Sequence, residues 1–177
     1  MDDVIYLFRG VSISGDKLIG VLESKEYDES DVSALLYVLR KTVDNRLINT
    51  ICLAFAGLKY NESIPDMMRL LSSEMTRNKK GTILYSMKAL KYEKYLPDIF
   101  RMLNDDFSFE AFNMIYLMID ECSATKNNKM YLREVLINIE SRNLRSVFIH
   151  QIRREIKLKL SSPISFPIKK VSRAKRN

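Results

Sequence analysis

Apolar residues recur at steps of three and four along most of the chain. Leu47, Ile48, Ile51, Ala54, Phe55 and Leu58 make one such stripe, the signature of a helix with one buried face. The pattern breaks at Tyr60-Asn61 and resumes as Ile64, Met67, Met68 and Leu71. Pro65 falls near the start of that second helix, where its missing N–H costs nothing and its fixed φ helps. Pro97 repeats the arrangement. A helix beginning near Asn78 runs through Ile83, Met87 and Leu90. Asp105-Asp106 with Ser108 gives a turn and capping signal before a helix over 109–121. Ser123 to Asn128 reads as a polar loop, and Met130 to Ile139 as helix again. The pattern predicts four helix pairs from about residue 14 to 142 and a last helix over about 144–160. No run reads as a convincing strand, and residues 2–12 form an N-terminal cap that the pattern assigns to neither helix nor strand.

The pairs repeat with a period of 32. Leu58-Lys59-Tyr60 maps onto Leu90-Lys91-Tyr92, Ile64-Pro65-Asp66 onto Leu96-Pro97-Asp98, and Arg69-Leu70-Leu71 onto Arg101-Met102-Leu103. Upstream in each unit Ile19, Ile51, Ile83, Ile115 and Val147 form a column. A two-helix unit of this size cannot bury its own stripe, so neighbouring units must stack.

The segment from Ala89 to Asp106, ALKYEKYLPDIFRMLNDD, resembles the HEAT-like helical repeat, particularly its short bacterial form, and Leu58 to Leu71 fits equally well. The resemblance covers about residues 14–142. In the last full unit Cys122 replaces the Leu and Lys129 the Pro. A TPR would need a period of 34 and its Trp/Gly/Tyr/Pro signature, and an ankyrin repeat a Thr-Pro-Leu-His type run; both are missing. The resemblance implies an all-α fold, a right-handed α-solenoid of about four HEAT-like helix pairs plus terminal capping helices. Residues 1–160 would form one domain, and 161–177 a flexible basic tail, broken by Pro163 and Pro167.

Composition fits a soluble globular protein: 177 residues, 46% hydrophobic and 29% charged. Cys52 and Cys122 lie in helical patterns and read as buried reduced thiols. An acidic start, an apolar run ending at Arg9 and the absence of an 18-residue apolar segment argue against a secretory signal or membrane span. No lipidation motif is recognisable, so the expected location is cytoplasmic. The net charge of +7 is divided unevenly. Residues 142–177 hold 11 Lys and Arg against Glu155, a net of +10, while residues 1–141 carry −3.

No catalytic set is expected. His150, the only histidine, aligns with Leu22, Ala54, Ser86 and Met118 and reads as a structural, partly buried side chain. One His and two isolated Cys do not make a zinc site, and no phosphate loop, dinucleotide fingerprint or nucleophile elbow is present. The acid pairs Asp105-Asp106 and Asp120-Glu121 suit capping. The methionines and aromatic residues fall largely on helical stripes, as core. No cofactor or metal is expected.

By the resemblance, the second helices would line the binding face. Asp66 and Arg69 would then point out of the core, matched by Ala34 and Tyr37, Asp98 and Arg101, and Met130 and Arg133. Asp and Arg three apart can pair along a helix and between units, forming a ladder. The same residues, with Glu62, Glu93 and Asp105 alongside, form a candidate partner-binding face. Its alternating sign suits protein recognition better than a nucleic-acid groove. The expected partner is therefore a protein. Among small bacterial HEAT-like proteins one such role is an immunity protein that caps a toxin domain; a nuclease toxin would present a basic face complementary to the acidic body. The alternative is nucleic acid bound through Arg142, Arg145, Arg153, Arg154, Lys157, Lys159 and the tail. A base-excision enzyme would need an aromatic and acidic pocket in a basic groove, and the sequence shows no signature of one.

Overall fold

The structure is a computed structural model that describes residues 4–102, 108–141 and 147–164, with side chains for all of these except 77–79. Asp105, the Asp105-Asp106 pair, Arg142, Arg145 and residues 165–177 of the expected tail lie outside the described residues.

The described residues are mostly helical: α1 (Gly15–Glu23), α2 (Val32–Lys41), α3 (Asn45–Leu58), α4 (Ile64–Leu71), α5 (Lys80–Lys88), α6 (Leu96–Met102), α7 (Phe109–Glu121), α8 (Lys126–Ser141) and α9 (Val147–Ser161). The helix starts have local causes. The Ser14 hydroxyl accepts from the Lys17 amide, the Asp44 carboxylate from Arg46 and Leu47, and Ser108 from Ala111. Each satisfies amide groups that the first turn leaves without an intrahelical partner. Pro65 sits in the first turn of α4. α3 ends where Lys59 adopts a left-handed conformation (φ 56°).

The odd-numbered helices pack in series, α1 on α3, α3 on α5, α5 on α7 and α7 on α9. Beside them α2 lies against α3, α4 against α5 and α8 against α9, while α6 packs on both α4 and α8. Ile19, Ile51, Ile83 and Ile115 are each 1% exposed or less. The period changes at the end of the series. Val147 is 70% exposed, and the buried residues of α9 are Ile149, Ile152 and Ile156. Those three match Ile115 and Met118 of α7 and Cys122 just after it, at a spacing of 34. The expected placement of Val147 in the column is therefore corrected. So is that of His150, which the shifted register leaves exposed rather than partly buried.

One element differs from an all-helical reading. Residues Ile5–Phe8 (β1) and Val11–Ser14 (β2) pair antiparallel, with Phe8 opposite Val11. Arg9 (φ 51°) and Gly10 (φ 75°) form the two-residue turn between them, and positive φ at both positions matches the twist of a hairpin. Tyr6 and Phe8 face the core; Ile5 and Leu7 face out.

The hairpin is tied to both ends of α2. The Arg9 guanidinium donates to both carboxylate oxygens of Asp31 at 2.7 and 2.6 Å, just before α2 begins. The Tyr6 hydroxyl donates to Thr42 Oγ1 at 2.9 Å, just after α2 ends. Asp31 is buried and also accepts from the Asp28 amide. A left-handed conformation is unfavourable for a residue with a Cβ, and the two-pronged pair at Arg9 offsets that cost.

The hydrogen bonds from Arg9 hold the Asp31 carboxyl below its ordinary value of 3.8. A carboxyl depressed by folding contributes stability above its unfolded pKa and loses it as pH falls through the folded value. Asp31→Asn is expected to lower the Tm at pH 7, and the gap from the unmodified protein should narrow as the pH drops below 3.8. Thermal melts across pH 7 to 2.5 read this directly; a gap independent of pH would contradict the assignment.

Candidate functional site

The period of 32 that builds the core also builds the outer face of the even-numbered helices. Tyr37 on α2, Arg69 on α4, Arg101 on α6 and Arg133 on α8 occupy one repeat position, and all four are exposed. The acids beside them are not equivalent. Asp66 does not point out of the core as its spacing suggests, because its side chain is only 10% exposed. Arg40 on the preceding unit donates to its two carboxylate oxygens at 3.0 and 2.8 Å, and Arg69 lies 3.8 Å away on the same helix. Asp66 is thus a buried anchor between two units. Asp98 is half exposed and pairs with Arg101, which also pairs with Glu134 of the next unit. The Asp–Arg pair three apart along a helix is present at both places, whereas the pairs between units are made through Arg40 and Glu134, which the spacing did not supply.

The remaining expected site residues stand apart from this row. Glu62 is exposed in the turn before α4. Glu93, in the turn before α6, lines a cavity of about 330 Å³ with Tyr95, Tyr131, Asn61 and Lys94.

Lysines serve the opposite function, closing helix ends. Lys59 Nζ donates to the Ala89 carbonyl at 3.2 Å, just beyond α5. Lys159 Nζ donates to the Asp120 carbonyl at the end of α7. Lys129, buried at the position where other units carry Pro, donates to the carbonyls of Leu160 at 3.0 Å and of Ser162, at the end of α9. Glu121 pairs with Lys88, so the Asp120-Glu121 pair is used in packing.

Two grooves lie elsewhere. One, of about 660 Å³, runs between α7 and α9 and is lined by Phe109, Phe112, Tyr116 and Phe148. Its rings touch: Phe109 meets Phe148 edge-on at 5.3 Å, and Phe112 stacks on Phe148 at 5.8 Å. The other, of about 620 Å³, involves Leu53, Gly57, Tyr27 and Tyr85 on the odd-numbered side. Assigning the aromatic residues to the core therefore needs correction at Tyr85 and Phe109, which are 54% and 62% exposed. The available signal was a second periodicity: Phe109, Phe112 and Tyr116 form a stripe offset from Ala111, Ile115 and Met118.

The thiols are poor nucleophiles. Burial pushes Cys52 up to about 12 and Cys122 up to about 11, so neither forms thiolate readily at neutral pH. Among the described residues no group of three His, Cys, Asp or Glu side chains could hold a metal ion, and no helix is long and apolar enough to cross a membrane. Comparison with known proteins finds no matching family model, curated protein or solved structure.

The geometry separates anchoring acids from surface ones. Asp66→Asn is expected to lower the unfolding free energy by about 2 kcal/mol, because it weakens charged hydrogen bonds at a buried site. Arg133→Ala, on the exposed end of the row, should change it by less than about 0.5 kcal/mol. Urea denaturation distinguishes the two; equal effects would place Asp66 outside the packing.

Proposed function

We propose that the chain is a protein-binding, right-handed α-solenoid of about four HEAT-like helix pairs, and that the even-numbered helices carry its binding face. The serial packing of α1, α3, α5, α7 and α9 supports the architecture. The observation that carries the binding reading is the exposed row Tyr37, Arg69, Arg101 and Arg133, of which Arg69 pairs with Asp66 and Arg101 with Asp98 along their helices, while Arg40–Asp66 and Arg101–Glu134 cross from unit to unit. Charges of both signs held in fixed register favour a partner with a complementary pattern and disfavour a uniform polyanion. Tyr37 adds an amphipathic ring at the end of the row, the kind of side chain that anchors protein interfaces.

The most specific form of this proposal is an immunity protein. It would bind a cognate bacterial toxin domain in the cytoplasm and block its active site, a task that needs surface complementarity and no catalytic group. The net charge of −3 over residues 1–141 suits a toxin with a basic substrate face, such as a nuclease. This part of the proposal rests on fold and size.

Co-expression with the product of the adjacent gene, followed by affinity capture, tests the reading. A stable complex is expected. Tyr37→Ala and the double variant Arg69→Glu/Arg101→Glu should each weaken it about tenfold or more, consistent with interface hot spots. No complex with either neighbouring gene product, or a complex indifferent to these variants, would overturn the proposal.

A further inference from the structure

We infer that the groove between α7 and α9 binds single-stranded nucleic acid, with bases against its aromatic wall and phosphates along the basic stripe of α9. This surface is separate from the row on the even-numbered helices, and the inference does not depend on the protein-binding reading.

Two helical stripes make the groove. Phe109, Phe112, Asn113 and Tyr116 are spaced three, four and seven residues along α7, so they share one face and line one wall. Phe148, Gln151, Glu155 and Leu158 supply the α9 wall, and Ile152, 1% exposed, closes the floor. Phe109 is 62% exposed, which leaves ring surface open. The amides of Asn113 and Gln151 can donate to and accept from base edges. Glu155 is an acceptor suited to an exocyclic amino group.

The next stripe of α9 carries the charge. His150, Arg154, Lys157 and Ser161, spaced four, seven and eleven residues along the helix, line an open depression with Arg153 and Leu158. Arg154 and Leu158 border both this depression and the aromatic groove, so the two surfaces are continuous. Arg153 is committed to Glu140 at 2.8 Å, whereas Arg154 and Lys157 project from an exposed face. Rings for stacking beside cations for phosphates are the two components of sequence-tolerant single-strand binding. A rigid duplex keeps its base faces stacked inside and could use only the cations. A purely acidic peptide would also meet the cations but has no aromatic rings to stack on the ring wall.

Fluorescence anisotropy with a labelled 20-nucleotide oligouridylate and the full chain tests the inference. Binding is expected at 50 mM salt and should weaken steeply as salt rises. Phe109→Ala, at an exposed position, should weaken it about tenfold. Arg154→Gln/Lys157→Gln should reduce the slope of log affinity against log salt by about 1.4. Polyglutamate of matched charge should compete at least tenfold less well than unlabelled oligouridylate. Removing residues 165–177 should leave the effect of Phe109→Ala in place. The inference is overturned by absence of binding, by binding indifferent to Phe109→Ala, by equal competition from polyglutamate, or by loss of all binding with residues 165–177.

Discussion

The structure depends on a shortage of internal partners. Each helix pair presents more apolar surface than its own two helices can cover. Ile51 and Ile83 reach zero exposure because α3 and α5 have neighbours on both sides. Burying one such side chain is worth about 1.5–3 kcal/mol relative to leaving it in water, and that gain exists only between units. The 32-residue period keeps the apolar stripes of successive units in register at their shared seams. Where the spacing does change, from α7 to α9, the buried set moves with it, and Val147 and His150 leave the interface.

The same logic explains how much could be read from the sequence. Helix positions, the breaks at Asn61 and near Ser123, and the Ser108 cap were legible because local periodicity and capping chemistry determine them. The hairpin was not. Its turn has Arg at a position where Asn or Asp usually announces a positive φ, and the partner that offsets this choice, Asp31, is 22 residues away. The outward set Ile5 and Leu7 is as apolar as the inward Tyr6 and Phe8, so no alternation of polarity marks the strand. The spacing puts Asp66 on the correct helix but on the wrong side of the surface. Its partner Arg40 belongs to the previous unit at a position the repeat does not conserve in kind: residue 72, one period on, is Ser. The aromatic groove is not legible in the sequence because a ring at helical spacing has the same pattern whether it faces a core or an open cleft.

Division of labour among charges follows the two sides of the helix pairs. Asp66 and Glu134 on the even-numbered helices act between units, Asp98 pairs along its own helix, and the arginines of the repeated row remain on the surface around them. Of the net +10 carried by residues 142–177, α9 holds +3, from Arg153, Arg154, Lys157 and Lys159 against Glu155, and no further described helix covers its outer stripe. Net charge alone therefore describes neither surface: one has both signs interlocked, the other is dominated by one sign beside aromatic rings.

Three lysines close the ends of α5, α7 and α9, and their arrangement has an electrical consequence. These bonds, with the Lys88 and Glu121 pair, bring the C-terminal ends of successive odd-numbered helices to one edge. Each such end carries a partial negative charge of roughly half an electron from the aligned peptide dipoles. Stacking parallel helices thus accumulates like poles side by side, a lateral repulsion that grows with every unit added. Lys59, Lys129 and Lys159 place an ammonium group at these poles, converting a row of mutually repelling ends into alternating charge along the edge.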